Sequence, residues 1–242
     1  MIQVGFKTST GLLRDNNEDA FFIIPGEDVY VVADGVGGYK AGELASHTAV
    51  KMVAEYIRDH DISKCAESGD IQAYFQKCLH LANREIYCLA DKYADSSGMA
   101  TTAVIAYIRG NKGYFANVGD SRAYLYRYDE IYQITEDHTY VNTLVKQGKI
   151  SKEDAKLHEQ RNVITRALGA EADIVADFFQ EDLLKGDSIL ICTDGLYEEV
   201  SELDIKDILG SGGSMPEVCS NLVGKAIECG GSDNITVICL KI

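Results

Sequence analysis

Two long amphipathic helices follow one another early in the sequence, with short apolar strands before and after them. The helices are predicted over 40–58 and 70–94, where apolar residues recur at helical spacing. Runs rich in β-branched and aromatic residues precede this pair, and a longer series of such runs follows it. The order lacks the regular strand–helix alternation of a parallel sheet. It favours an α+β fold of mostly antiparallel sheets with helices packed outside them.

The same patterns predict the remaining elements. Strands are predicted at 4–9, 20–24, 29–33, 101–108, 113–118, 122–128, 131–134, 173–179, 188–193 and 234–241. Further helices are predicted at 140–147, 151–157, 202–209 and 216–228.

A polar segment, from about 137 to 169, interrupts the series of strands. It contains two short helical stretches, and the second opens with Ser151 followed three residues later by Asp154. We expect this segment, called the flap below, to project from the core.

The chain has 242 residues and only two prolines, with no repeat, low-complexity tract or Pro/Ser-rich linker. That length suits one large domain or two small ones. Because no linker separates two parts, we expect a single domain over residues 1–242.

Acidic residues outnumber basic ones, 38 to 23, which gives a formal charge of −15. Such a field repels nucleic acid and anionic membranes, so neither is an expected partner. Two explanations of the excess stay open at this point. The carboxylates serve solubility alone, or some of them hold divalent cations.

Seven cysteines are scattered along the chain without a CxxC motif, and several lie in apolar runs. This pattern favours reduced, mostly buried thiols over a zinc site or a disulfide framework. The first residues lack the features of a signal peptide, and no apolar run is long enough to cross a bilayer. We therefore expect a soluble cytoplasmic protein.

The most informative residues are aspartates at strand ends. Asp34 and Asp194 each follow an apolar strand and precede a glycine, Asp120 follows the strand at 113–118, and Asp233 precedes the last strand. One Asp-Gly after a strand is usually a turn. Four such carboxylates, with a further acidic pair at 18–19, indicate a cluster at one edge of the sheets.

Clustered carboxylates repel one another unless a cation neutralises them. No His or Cys accompanies these positions, and ligands that are all oxygen select Mg²⁺ or Mn²⁺ over Zn²⁺. The glycine after Asp34 allows close approach of the backbone, so the Gly35 carbonyl is a further candidate ligand.

A pair of ions bridged by one carboxylate would lower the pKa of a shared water and hold phosphoryl oxygens for in-line attack. A basic group must then bind the remaining phosphate oxygens, for which arginine has the best geometry. Arg14, five residues before Asp19, is the candidate. An exposed cation without a role in binding is the alternative.

Eight stretches in order resemble the metal-dependent protein phosphatase family, also called protein phosphatase type 2C, and its compact bacterial members in particular. They are residues 11–20 (GLLRDNNEDA), 32–38 (VADGVGG), 100–102 (ATT), 117–123 (NVGDSRA), 136–138 (EDH), 164–169 (ITRALG), 192–196 (CTDGL) and 231–237 (GSDNITV). Together they extend over nearly the whole chain.

The resemblance implies a four-layer α-β-β-α sandwich, with two mainly antiparallel sheets flanked by helices. It also implies that Asp34 bridges two Mn²⁺ or Mg²⁺ ions, with the Gly35 carbonyl completing one and Asp194 and Asp233 the other. Asp120 would join Asp194 at a third ion.

The same resemblance implies indirect roles for Glu18 and Asp19, through a water on a metal or as hydrogen-bond acceptors. It implies that Arg14 holds the phosphate and that the flap at 137–169 lies beside the active site.

Two positions depart from the familiar pattern. Val36 stands where many eukaryotic members have a histidine that is the proposed general acid, so a metal-held water is the preferred proton donor here and His138 the alternative. Ala100 stands where the family usually has glycine, which should affect packing only. Arg122 and Arg166 look typical of the family, and structural ion pairs are expected for both.

An active phosphatase for phosphoserine and phosphothreonine on proteins is the favoured function, with a Ser/Thr kinase as a plausible partner and a monomer as the default state. A pseudophosphatase would lack a bridging aspartate or the arginine, yet Asp34, Asp194, Asp233 and Arg14 are all present. A phosphatase dedicated to a small regulatory protein tends to lack the flap, which this chain has.

Overall fold

The structure is a computed structural model that describes residues 2–24, 26–37, 41–92 and 98–242. Its strands are β1 (Gln3–Ser9), β2 (Asp19–Ile24), β3 (Val29–Val36), β4 (Ala100–Thr101), β5 (Ala103–Arg109), β6 (Lys112–Val118), β7 (Arg122–Arg127), β8 (Glu130–Gln133), β9 (Asp177–Asp182), β10 (Ser188–Cys192) and β11 (Ile235–Lys241). Its α-helices are α1 (Ala41–Asp59), α2 (Ser68–Lys92), α3 (Tyr140–Lys146), α4 (Lys152–Leu157), α5 (Asp194–Tyr197), α6 (Glu202–Gly210) and α7 (Met215–Cys229).

Two antiparallel sheets form the centre of the molecule. One has the strand order β1-β11-β10-β7-β8, and the other has the order β2-β3-β5-β6-β9, with β4 paired to the end of β3. Alternate residues of the strands pack between the sheets, among them Val32, Val104, Ile189, Ile191 and Ile238. The sequence-based prediction of an α+β fold with mainly antiparallel sheets is therefore confirmed.

Helices cover both outer faces of the sheet pair. The apolar faces of α1 and α2 pack on the sheet that contains β3, around the buried residues Val53, Phe75 and Ile105. Helices α6 and α7 pack on the other sheet. The result is the expected four-layer sandwich. Within the described ranges, no helix has the length and apolar character that a bilayer crossing requires.

One strand was predicted too early. The sequence pattern placed it at 173–179, whereas β9 is Asp177–Asp182. The residues before β9 satisfy their backbone groups with side chains of α2 instead of a strand ladder. Gln76 binds Ile174 O and the amide of Ala176, and Asn83 donates to the carbonyls of 171 and 172.

Smaller differences concern helix ends. Helix α2 begins at Ser68, and residues 93 and 94 of its predicted end lie outside the described residues, as does the predicted start of α1 at 40. Short helix α5 and a 3₁₀ turn at Ile62–Lys64 were not predicted. Helices α3 and α4 of the flap begin as expected, and Ser151 and Asp154 form the predicted capping box.

Candidate metal centre

The topology brings the aspartates at strand ends to one edge of the two sheets. Strand β6 runs parallel to β3, since both are antiparallel to β5 between them, so Asp120 and Asp34 lie at the same edge. Strands β10 and β11 are antiparallel, which places Asp194 at the end of one beside Asp233 at the start of the other. In the β2–β3 pair, Asp19 lies directly opposite Asp34.

The carboxylates are close enough to perturb one another strongly. Burial raises the pKa of Asp34 well above its usual range, and the charges of Asp194, Asp19 and Asp120 raise it further. The pKa of Asp194 is raised to about 6 by burial and by the charge of Asp233. The predicted cluster of carboxylates is therefore present.

Asp19 and Asp120 are the most buried members of the cluster. Burial, with smaller contributions from neighbouring carboxylates, raises the pKa of Asp19 to about 7 and that of Asp120 to about 8. The Thr193 hydroxyl donates to Asp19 Oδ2 at 3.0 Å. A threonine thus fixes the carboxylate of Asp19, a contact that no sequence pattern had indicated.

Three oxygens of the cluster are buried without a hydrogen-bond partner: Oδ1 of Asp19, of Asp120 and of Asp194. Buried polar atoms are nearly always satisfied, so such a concentration at one site requires an explanation. A divalent cation with oxygen ligands supplies it, because it neutralises the repulsion and accepts these lone pairs. The donor set therefore fits Mn²⁺ or Mg²⁺.

The described residues contain no group of three or more acidic, His or Cys side chains already arranged around a common metal position. One of the expected ligands is engaged with another side chain, because Asp233 Oδ2 accepts a hydrogen bond from Arg14 Nη2. The support for a cation site therefore comes from the three unpartnered oxygens, since the ligands are not already arranged around one metal position.

The backbone of Asp34 is fixed by a threonine pair at the end of β4. Its amide donates to Thr102 Oγ1 at 2.9 Å, and its carbonyl accepts from the Thr102 amide and from Thr101 Oγ1. Thr102 Oγ1 in turn lies 2.7 Å from Ser121 Oγ, beside Asp120. Buried hydroxyls therefore connect the positions of Asp34 and Asp120.

Two glycines allow α1 to begin directly against the end of β3. A Cβ added at Gly35 would lie 2.1 Å from the Gly42 carbonyl oxygen, and one added at Gly42 would lie 2.5 Å from Glu18 Oε2. Neither position has room for a side chain. Gly42, in the first turn of α1, is as necessary for this approach as Gly35, and sequence reasoning had not singled it out.

Asn234 connects the two ends of the sequence at this edge. Its Nδ2 donates to the carbonyls of Thr10 and Asn16, and its Oδ1 accepts from the Glu18 amide at 2.7 Å. Glu18 itself accepts a weak 3.3 Å hydrogen bond from Asn16. Asn234 thus positions the loop that carries Arg14. The only sign of this role in the sequence is that Asn234 directly follows Asp233.

Arg14 reaches the cluster as expected, and in this structure its Nη2 donates to Asp233 Oδ2 at 2.7 Å. The arginine side chain is about half exposed, 52%, so several of its N–H groups remain available to a ligand. Its position beside Asp233 agrees with a role at the phosphate.

His138 has both ring nitrogens occupied. Nδ1 accepts from the Gly119 amide at 2.9 Å, and Nε2 lies 3.1 Å from Asp177 Oδ2 and 3.0 Å from Arg166 Nη1. Burial lowers the pKa of His138. A buried imidazole held in this way is poorly placed to protonate a leaving group, and its contacts are those of a structural residue. Arg166 completes the group through an ion pair with Asp177 at 2.7 Å.

Val36 and Ala100 face each other in the β3–β4 pair. The Val36 side chain is 44% exposed, and a valine cannot donate a proton. Ala100 is buried, in keeping with an effect on packing only.

Arg122 connects the start of the flap to the loop of Asp120. Its guanidinium donates to both oxygens of Asp137, at 3.0 and 2.6 Å, and stacks 3.4 Å above the ring of Tyr197. The Tyr197 hydroxyl donates to the Asp120 carbonyl at 2.9 Å. The expected structural ion pair of Arg122 therefore also connects the flap with a candidate metal ligand.

We expect Arg122→Lys to loosen the flap, because lysine cannot reproduce the two-pronged contact with Asp137. Chymotrypsin cleavage after Tyr140 or Leu157 should accelerate. Arg127→Lys is the matched control: Arg127 lies on the same strand, makes an equivalent pair with Asp187 and is equally exposed. Faster flap cleavage in both variants would show general destabilisation and contradict the prediction.

An open groove of about 970 Å³ adjoins the cluster, with Asp120 and Asp194 in its lining. The lining includes residues of α3 and α4 in the flap and residues at the start of α6. The groove is large enough for a stretch of polypeptide beside the carboxylates.

The chain is similar to bacterial phosphatases over its whole length. The sequence model of the Protein phosphatase 2C family matches residues 13–211. The serine/threonine phosphatase stp of Listeria innocua is 38% identical over 239 residues, which cover 98% of this chain and 94% of that protein.

Two solved structures share the fold. The serine/threonine phosphatase Stp1 from Staphylococcus aureus superposes with a TM-score of 0.93 at 34% identity, covering 100% of this chain and 95% of that one. The catalytic domain of the serine/threonine protein phosphatase PstP, in complex with two manganese ions, has a TM-score of 0.86 at 32% identity, covering 99% and 97%.

Proposed function

Because the chain belongs to the protein phosphatase 2C family, we propose that its carboxylate cluster hydrolyses phosphoserine and phosphothreonine on proteins through a pair of metal ions. The chain is a metal-dependent serine/threonine phosphatase, and its metal is Mn²⁺ or Mg²⁺. The observation that carries the assignment of the site is the set of three orphaned, buried carboxylate oxygens at the common edge of the sheets.

In the proposed site, Asp34 would hold both ions, with the Gly35 carbonyl as a further ligand of one and Asp194 and Asp233 as ligands of the other. Asp120 and Asp194 would hold a third. Bound there, the ions would lower the pKa of a bridging water and orient the phosphoryl group for in-line attack. The close mutual influence of Asp34, Asp194 and Asp120 supports this arrangement.

The remaining residues act on position and charge. Thr101 and Thr102 fix the Asp34 backbone, and Thr193 fixes the carboxylate of Asp19. Arg14 binds the non-bridging oxygens of the phosphate from the rim of the site. Since Val36 cannot donate a proton and His138 is held by Gly119 and Asp177, the proton for the leaving oxygen comes from solvent or from water within the site.

We expect Arg14→Ala to raise KM for a phosphothreonine peptide about tenfold, the equivalent of one charge-assisted hydrogen bond, with a smaller effect on kcat. Steady-state kinetics at saturating Mn²⁺ measure both constants. Arg58→Ala, which removes an exposed arginine paired with its neighbour Asp59 and with no other described carboxylate, is the control. A KM that stays at the wild-type value in Arg14→Ala would exclude the phosphate-binding role.

The physiological assignment is also a proposal: the protein opposes a Ser/Thr kinase in the cytoplasm and acts as a monomer. All seven cysteines are free thiols, as expected in a reducing compartment. The groove beside the cluster gives room for a protein segment, and the charge of −15 argues against nucleic acid as a partner.

The decisive experiment compares phosphothreonine and phosphotyrosine peptides after treatment with EDTA. Turnover should vanish with the chelator, return with Mn²⁺ and favour phosphothreonine. Activity that survives exhaustive chelation, or that returns with Zn²⁺ alone, would refute the oxygen-ligated metal pair. A preference for phosphotyrosine would refute the substrate class and leave the metal site standing.

A further inference from the structure

The cations that line the groove beside the carboxylate cluster fall into two groups, those paired with carboxylates and those that are not. Three of the cations in its lining are neutralised by carboxylates of the same lining. These ion pairs are Arg122 with Asp137 at 2.6 Å, Lys146 with Glu136 at 2.9 Å and Arg161 with Glu198 at 3.2 Å. The other two, Lys152 and Lys156, have no carboxylate oxygen within 4 Å among the residues that the structure describes.

Helix α4 directs its charges to different sides. Lys152 and Lys156 line the groove together with Ala155 and Leu157, whereas Glu153 and Asp154 do not. Asp154 is occupied in the capping box with Ser151. Residues four apart lie on the same helix face, with Cβ atoms about 6 Å apart. The groove therefore has a local pair of positive charges in a protein that is strongly acidic overall.

The lining also includes Glu202 in the first turn of α6 and the apolar residues Val141, Val200 and Ile205. A peptide in the groove therefore meets apolar side chains as well as the two lysines of α4. Acidic side chains of such a peptide are attracted by these lysines and repelled by Glu202.

We propose that Lys152 and Lys156 bind acidic side chains that flank the phosphorylated residue, so that the enzyme favours phosphoproteins with Asp- or Glu-rich segments at the site of dephosphorylation. This inference rests on the proposed function of the adjoining cluster. It assigns a substrate preference to the flap, through two residues that lie outside the expected metal and phosphate ligands.

The test compares two phosphothreonine peptides, one flanked by glutamates and one flanked by glutamines, with wild type and a Lys152→Glu/Lys156→Glu variant. Wild type should show a higher kcat/KM for the glutamate peptide. Reversal of two exposed charges should lower the ratio of the two kcat/KM values about fivefold to tenfold at low salt, and less at 0.5 M NaCl.

Lys149→Glu is the matched control, because Lys149 is an exposed lysine of the same flap that does not line the groove. It changes the net charge in the same direction, so an equal fall of the ratio in Lys149→Glu would show a general electrostatic effect and overturn the proposal. A double variant that keeps the wild-type ratio of the two kcat/KM values would also overturn the proposal. If charge reversal prevents folding, Lys152→Gln/Lys156→Gln replaces it in the same comparison. This variant should lower the ratio of the two kcat/KM values by a smaller factor than charge reversal.

p-Nitrophenyl phosphate, which has no flanking acidic residues for α4 to bind, separates this proposal from the one on which it rests. Its Mn²⁺-dependent hydrolysis should be equal in wild type, the double variant and the control. Failure of wild type itself to hydrolyse the aryl phosphate and both peptides with Mn²⁺ would refute the proposed function. A lost peptide preference with intact aryl phosphate hydrolysis supports the groove assignment alone.

Discussion

Replacement of Asp34 by alanine is expected to lower Mn²⁺-dependent hydrolysis of a phosphothreonine peptide by more than about 100-fold. Residues that merely support metal ligands cost about 10–100-fold when mutated, and a carboxylate shared by two ions should cost more. Steady-state kinetics at saturating Mn²⁺ measure the effect. Asp173→Ala, at a side chain that is 91% exposed, is the control and should leave turnover unchanged.

The same position gives an independent readout in the absence of turnover. Asp34 is buried among Asp194, Asp19 and Asp120, whose charges oppose its own. In the chelated protein, Asp34→Asn removes one of these repelling charges with little change in volume, so the thermal midpoint should rise. The additional rise that Mn²⁺ produces in wild type should be lost. A variant that keeps that Mn²⁺-induced shift would contradict the bridging role.

Gly35→Ala is the substitution with the largest expected structural effect. The added methyl would lie 2.1 Å from the Gly42 carbonyl oxygen and 2.6 Å from that of Glu18, so backbone must move. Because overpacking usually costs 1–3 kcal/mol even where side chains can yield, we expect a loss of more than about 3 kcal/mol in the free energy of unfolding, measured in urea. Displacement of α1 should also weaken Mn²⁺ binding.

Gly224→Ala is the matched control for that measurement. Gly224 lies in α7, and apart from its chain neighbours and the backbone of its own helix no atom lies within 4 Å of an added Cβ. Alanine there should stabilise the protein by up to about 1 kcal/mol, since glycine is a poor helix former. A wild-type urea midpoint in Gly35→Ala would show that α1 does not depend on the close approach at residue 35.

The layers of the fold were predictable because they follow from the pattern of apolar residues. Continuous apolar runs mark β3, β5 and β10 as strands buried on both faces, and apolar residues at helical spacing give α1 and α2 one buried face each. The true position of β9 was not predictable. The preceding residues are held by Gln76 and Asn83 of α2, about a hundred residues earlier in the chain, and no local pattern records such a contact.

The candidate site was predictable where a residue type reveals its own chemistry. Asp34, Asp120 and Asp194 stand out in the sequence because carboxylates brought together at strand ends repel one another unless a cation neutralises them. Thr193 and Asn234 act through hydrogen bonds to residues more than 170 positions away, and their residue types are unremarkable in a loop. The ion pair of Arg14 with Asp233 could not be predicted either, because only the tertiary fold brings these two distant residues together.

The hydrogen bonds of Asn234 have a consequence for the order in which the protein becomes active. They join residues 216 or more positions apart, and β1 pairs with β11 along its whole length. During synthesis, the loop of Arg14 and Glu18 therefore lacks these hydrogen bonds until β11 has left the ribosome and entered the sheet between β1 and β10. We therefore expect no turnover from a nascent chain that stops before β11.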